Sequence, residues 1–247
     1  MNVKSENKII YYPGCFVNYF DHETGRCIVN ILEKNDLQVE VPEFTCCSYT
    51  LYNSGNITHA RKRASRLVET LTPYAVKGYE IIYSCPTCGL ALKEVYPNLL
   101  NTDEARVVAD RTTFISSFLL ALHEEDRLNI DFKDISLNIA YHAPCHLKSQ
   151  NLFTESTTLL SLIPGISLND LNRGCCGMGG TWGLQSKKQS ELSGEVGVNV
   201  FQEIKETKPQ LVVTECAGCQ IQIGRYTGYP CNLVIHPLRI FADAYNK

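Results

Sequence analysis

Two stretches decide the fold: Lys8-Ile-Ile-Tyr-Tyr-Pro-Gly-Cys15 and Leu137-Asn-Ile-Ala-Tyr-His-Ala-Pro-Cys145. Each is a short apolar run that reaches a cysteine within a few residues, and the two lie 130 residues apart. Two further landmarks keep that register. Cys46-Cys47-Ser48 recurs as Cys175-Cys176-Gly177 at an offset of 129, and Cys85-Pro-Thr-Cys88 recurs as Cys216-Ala-Gly-Cys219 at an offset of 131. Self-similarity at a fixed period is the mark of repeated structural units. The chain therefore reads as a tandem duplication, with a first domain over residues 1–128 and a second over 129–247. The boundary falls in the charged stretch between Glu124 and Ser136.

Both halves carry an α/β pattern. Lys8–Tyr12 and Leu137–Tyr141 read as buried strands, as do Glu80–Ser84 and Leu211–Glu215, each of the latter just before a C-x-x-C pair. Helical periodicity places Cys27, Ile28, Ile31 and Leu32 on one apolar stripe, and helices are also predicted over His59–Leu71 and Gln189–Ile204. Strands alternating with helices predict mainly parallel sheets in two pseudo-symmetric domains. In such sheets ligands bind beyond the carboxyl ends of the strands, where the cysteine landmarks fall.

Composition removes several classes. The 247 residues are 44% hydrophobic and 20% charged, which is globular, and a formal net charge of −3 offers no basic footprint for nucleic acid. No run of 18 apolar residues exists, so no transmembrane helix is expected. The polar opening Met-Asn-Val-Lys-Ser-Glu-Asn-Lys lacks the apolar run of a signal peptide, and a cytoplasmic protein is expected. Twelve cysteines depart from the ordinary. In a reducing compartment they indicate metal or redox chemistry rather than disulfides.

Ten of the twelve form a five-part pattern that occurs twice: Cys15, Cys46, Cys47, Cys85 and Cys88, then Cys145, Cys175, Cys176, Cys216 and Cys219. Zinc is satisfied by four ligands, and so is a cubane 4Fe–4S cluster. Five thiols exceed both by one. Either one cysteine per half is spare, or the site holds an unusual cluster with an extra thiolate. Adjacent cysteines on a Gly-rich turn could reach different irons of an extended cluster, and Cys175-Cys-Gly-Met-Gly-Gly180 permits close backbone approach.

The pattern resembles the cysteine-rich CCG domain family. Its members include the catalytic B subunit of heterodisulfide reductase, the C subunit of anaerobic glycerol-3-phosphate dehydrogenase, and the iron–sulfur subunits of lactate and glycolate oxidation. The resemblance covers nearly the whole chain. It is carried most faithfully by Cys175-Cys-Gly-Met-Gly-Gly-Thr-Trp-Gly183, and then by Leu211-Val-Val-Thr-Glu-Cys-Ala-Gly-Cys219 and Ile235-His-Pro237. Leu51-Tyr-Asn-Ser-Gly55 looks more like the lactate-utilisation branch. The first motif departs from the family at Ser48, where Gly is usual. A serine is small enough to be tolerated, and the first site is the one expected to differ in geometry.

The resemblance implies an iron–sulfur oxidoreductase subunit with a 4Fe–4S-type cluster in each half, noncubane and held by five cysteines in the heterodisulfide reductase branch. Two activities remain open: cleavage of a disulfide, or relay of electrons in a quinone-linked dehydrogenase. A zinc-stabilised, non-redox adaptor is the alternative. The first motif starts at Tyr11, leaving no room for a ferredoxin-like segment before it, and no G-x-G-x-x-G follows a strand. Electrons are thus expected from a flavoprotein or ferredoxin-like iron–sulfur subunit, with a membrane quinone-reducing subunit as a further partner. The protein would then sit at the inner membrane face through its partners.

Other residues have plainer readings. Cys27 and Cys231 are expected to be structural thiols. His142 and His146 flank Cys145 and are read as loop histidines, with hydrogen bonding near the cluster as the alternative. His236 sits at a strand end where clusters should lie. Lys148 is read as solvated. Tyr49 and Trp182 follow the vicinal pairs and are expected to shield the clusters from water. Arg61, Lys62, Arg63 and Arg66 form a solvated basic face that could dock an acidic partner.

Overall fold

The computed structural model describes residues 8–171 and 174–246, and the side chain of Cys231 lies outside the described set. The chain divides into two compact units, with the division between Asn129 and Ile130. Each unit is a four-stranded, wholly parallel sheet with helices, as the duplicated α/β pattern predicts.

In the first unit the strands are β1 (Lys8–Tyr12), β2 (Gln38–Glu40), β3 (Glu80–Tyr83) and β4 (Thr112–Phe114), in the order β2-β1-β3-β4. In the second they are β5 (Leu137–Tyr141), β6 (Ile166–Asp170), β7 (Leu211–Val213) and β8 (Val234–Ile235), in the order β6-β5-β7-β8. Register repeats as well. Tyr11 pairs with Ile82 across β1 and β3, and Tyr141 pairs with Val213 across β5 and β7. The central strands are apolar without alternation because parallel sheets are covered on both faces. Thus Ile9, Ile10, Tyr11 and Tyr12 are all buried, as are Ile139, Ala140 and Tyr141.

The chain leaves the first strand of each unit to one side and later crosses to the other, which creates a switch point at the carboxyl end of that strand. The cysteine landmarks follow the three strands around it. The lone cysteine follows the central strand, the vicinal pair follows β2 or β6, and C-x-x-C follows β3 or β7.

The helices fix the sheet by burying one face each. In Ile57–Val76 the buried residues Ala60, Ala64, Leu67, Val68, Leu71 and Ala75 recur at helical spacing and pack against Ile10 and Ile81. Burial of each leucine side chain is worth about 1.5–3 kcal/mol. The helix runs longer than the predicted His59–Leu71 and includes Pro73 near its end. Lys187–Thr207 likewise extends the predicted Gln189–Ile204, with the Ser186 hydroxyl capping its start by accepting from Gln189 N. Cys27 is buried with Ile28, Ile31 and Leu32 on the His22–Glu33 helix. No helix among the described residues is long and apolar enough to cross a membrane.

Candidate functional site

In each unit the five thiols form one connected chain. Cys15 contacts Cys46, Cys46 contacts Cys47, Cys47 contacts Cys88 and Cys88 contacts Cys85. The second unit repeats the sequence of contacts as Cys145, Cys175, Cys176, Cys219 and Cys216. The innermost sulfur pairs are 3.5 Å apart for Cys47 and Cys88 and 3.2 Å for Cys176 and Cys219. All ten are free thiols. Exposure is graded identically in both units. Cys15 and Cys145 are exposed, the first of the vicinal pair and the first of C-x-x-C are intermediate, and Cys47, Cys88, Cys176 and Cys219 are buried in the hydrophobic core.

Local backbone explains the convergence. Cys85 and Cys216 are the N-cap residues of the Pro86–Leu90 and Ala217–Thr227 helices. The first turn of each helix brings the second cysteine of the pair back beside the first, and the helix N-terminus favours thiolate. Gly14 takes φ +72°, and a Cβ there would sit 2.9 Å from Cys88 Sγ. The turn after each vicinal pair is left-handed, at φ +58° for Ser48 and +84° for Gly177. Each donates its backbone N–H to the first thiol of the pair, at 3.4 Å from Ser48 N to Cys46 Sγ and 3.3 Å from Gly177 N to Cys175 Sγ. The departure at Ser48 therefore leaves the turn intact. Its hydroxyl donates to Cys46 O at 3.1 Å, whereas at Gly177 a Cβ would run into Ser193 O. Glycine is demanded in the second unit by the neighbouring helix, and not in the first.

Thiols crowded in this way cannot all ionise. Cys46 is held far below the ordinary thiol range, first by the hydrogen bond from Cys15 and then by that from Cys47; Cys175 is held there by Cys145 and Cys176. Cys15 and Cys145 are pushed up, first by that same hydrogen bond and then by burial. Cys88 and Cys219 are pushed up by their sulfur partners and burial. Bringing the remaining thiols to thiolate needs positive charge among the sulfurs, which a metal centre supplies. The all-thiol donor set suits a thiolate-ligated iron–sulfur centre, and five thiols exceed by one the four that a zinc ion or a cubane cluster takes.

Around these groups the units diverge. Tyr11 Oη lies 2.9 Å from Ser84 Oγ. The equivalent Tyr141 hydroxyl donates to Glu215, 3.1 Å from Oε1. Burial pushes the Glu215 carboxyl up to about 7. Tyr12 donates its hydroxyl to Thr45 O at 2.9 Å, and Tyr96 donates to Cys47 O at 2.7 Å. The equivalent of Tyr12 is His142. The first unit also opens a cleft of about 330 Å³ beside Cys15 and Cys46, lined among others by Asn18, Tyr19, Phe44 and Arg63.

Several candidates differ from their sequence reading. His142 is no surface loop residue; it is fully buried, because it directly extends β5 and donates its backbone N–H to Val213 O at 2.9 Å. Burial and then Lys148 push its imidazole down to about 4. His146 is half-buried beside Cys145. His236 is buried and caps the Pro237–Ala244 helix, its Nδ1 accepting from Leu238 N at 3.2 Å. Trp182 remains 39% exposed, while the buried Met178 packs with Cys176 and Cys219. Met178 stands 129 residues after Tyr49, which packs against the first thiol group. The offset identifies this equivalence, and the aromatic character of Trp182 obscures it. Arg61, Lys62, Arg63 and Arg66 are all exposed, and Arg63 also lines the cleft and favours thiolate at Cys46.

The repeated parallel fold and its paired thiol groups define a duplicated cysteine-rich domain protein. The cysteine-rich CCG domain matches residues 9–93 and again 139–224, and the chain belongs to that family. The C subunit of anaerobic glycerol-3-phosphate dehydrogenase from Escherichia coli (strain K12) is 31% identical over 97% of this chain and 59% of its own length. The B subunit of fumarate reductase (CoM/CoB) from Methanothermobacter marburgensis is 29% identical over 88% of this chain and 42% of its own. Lactate utilization protein A of Bacillus subtilis (strain 168) is 26% identical over 90% of this chain and 92% of its own. The chain thus spans about three-fifths of the dehydrogenase protein and nearly all of the lactate protein.

Proposed function

We propose that this chain is an iron–sulfur subunit of an oxidoreductase complex, with one 4Fe–4S-type cluster held by Cys15, Cys46, Cys47, Cys85 and Cys88 and a second by Cys145, Cys175, Cys176, Cys216 and Cys219. The observation that carries this reading is the pair of five-thiol chains, alike in order, exposure and backbone support. When bound, such a cluster supplies reversible one-electron transfer. The protein's own groups do the rest. Thiolates hold the metal at the carboxyl edge of each sheet, and the Ser48 and Gly177 N–H groups stabilise charge on the sulfurs. Tyr49 and Met178 keep water from the inner sulfurs, and exposed Cys15 and Cys145 mark the side open to a partner.

Two of the relatives are named as subunits of a dehydrogenase and a reductase, which supports a role within a larger complex. Electrons would come from a flavoprotein or ferredoxin-like iron–sulfur subunit and pass toward a quinone-reducing subunit, which would hold the complex at the inner membrane face. The cleft beside Cys15 favours a second reading, in which the first centre meets a small disulfide whose anionic group pairs with Arg63. Protein purified without oxygen and assayed for iron, acid-labile sulfide and zinc tests the proposal. Iron and sulfide in equal amounts are expected; zinc alone would replace the proposal with a structural adaptor.

A further inference from the structure

The two thiol groups match closely, yet one buried side chain beside them differs in kind between the units. His142 offers the second group a nitrogen that lies within 4.8 Å of the Sγ atoms of both Cys176 and Cys219. Both ring nitrogens are buried without a hydrogen-bond partner. A buried polar group left unpaired is costly, so its retention calls for a partner at that place. Two sulfurs stand within reach of it, with Lys148 also acting on the ring. In the first unit the equivalent position is Tyr12. Its single hydroxyl hydrogen is committed to Thr45 O at 2.9 Å, leaving none for a sulfur.

We propose that His142 is a positioning residue of the second centre, where its ring N–H donates to sulfur, and that it sets the reduction potential of that centre apart from that of the first. The inference rests on the reading that both thiol groups hold iron–sulfur clusters. Whatever its protonation, an imidazole carries at least one N–H. Hydrogen bonds to the sulfurs of a cluster are among the features that set its potential. They favour the reduced, more negative state, so the second centre is the easier to reduce for having this donor.

The test uses the full chain with its clusters, labelled with ¹⁵N-histidine and reduced stepwise under electron paramagnetic resonance. A weak ¹⁵N coupling is expected on one centre only, and it should vanish in His142→Phe. That substitution should lower the midpoint potential of the same centre and leave the other unmoved. His142→Gln keeps an amide N–H and should recover part of the shift. The labelled unsubstituted chain answers the question even where His142→Phe does not fold. A strong coupling, as from a direct iron–nitrogen bond, would overturn the hydrogen-bond assignment. Iron-loaded protein with no coupling, or with both potentials moved equally, would overturn the inference while leaving the clusters in place. Protein that takes up no iron would overturn both.

Discussion

The two units share a strand order, a thiol order and an exposure gradient, and they differ in what stands one residue behind the sulfurs. The first unit surrounds its group with tyrosines, serine and an open cleft. The second surrounds its group with a carboxyl, an imidazole and a methionine. The backbone N–H contacts to Cys46 and Cys175 recur in both units, whereas the side chains around the sulfurs diverged. The shared features are thus assigned to holding a metal centre, and the differences to tuning it or choosing its partner.

The largest effect outside the cysteines themselves is expected at the turn after the vicinal pair. Gly177→Ala places a Cβ against Ser193 O and forces alanine into the left-handed region, so it should cost more than about 2 kcal/mol in chemical denaturation. Ser48→Gly should cost less, within about 1 kcal/mol, since glycine takes the left-handed turn freely and only the hydroxyl bond to Cys46 O is lost. Equal losses at both positions would break the account of why the two motifs differ.

Next come the tyrosine partners. Glu215→Ala removes a buried carboxyl that hydrogen-bonds both Tyr141 and Ser156, for about 2–4 kcal/mol. Ser84→Ala strands the Tyr11 hydroxyl but leaves a smaller void, for about 1–2 kcal/mol. Thermal unfolding of both variants would sharpen the comparison if Glu215 is the costlier, and reverse it if Ser84 is.

The smallest effect concerns the cleft. In metal-free chain, Arg63→Ala should shift the pH dependence of alkylation at Cys46 upward, since its guanidinium favours thiolate there. Arg66→Ala, on the same exposed helix, should leave the profile in place. Identical profiles for both variants would return Arg63 to the solvated face.

The central strands and the thiol grouping are legible in the sequence for one reason: both depend on features that survive duplication. Lys8–Tyr12 and Leu137–Tyr141 appear as strands with the ends read from the apolar runs, because a strand covered on both faces must be continuously apolar. The edge strands are less legible. Gln38–Glu40 is two-thirds polar and largely exposed, and β8 is only the pair Val234–Ile235. His142 reads as a loop residue because Tyr-His-Ala-Pro-Cys has the composition of a loop. Nothing local reveals that the Val213 carbonyl pairs its backbone and draws it inside. The 130-residue offset sets it against the buried Tyr12, and that alignment is the available signal.

The central claim is that each unit holds its own iron–sulfur centre. It is tested most directly by counting iron and acid-labile sulfide after anaerobic reconstitution of the native chain, Cys47→Ala, Cys176→Ala and Cys231→Ala. The account predicts about eight irons in the native chain, about four in Cys47→Ala and Cys176→Ala, and no change in Cys231→Ala. Native chain that saturates at about four irons, or a Cys231→Ala loss as large as that of Cys176→Ala, would contradict it.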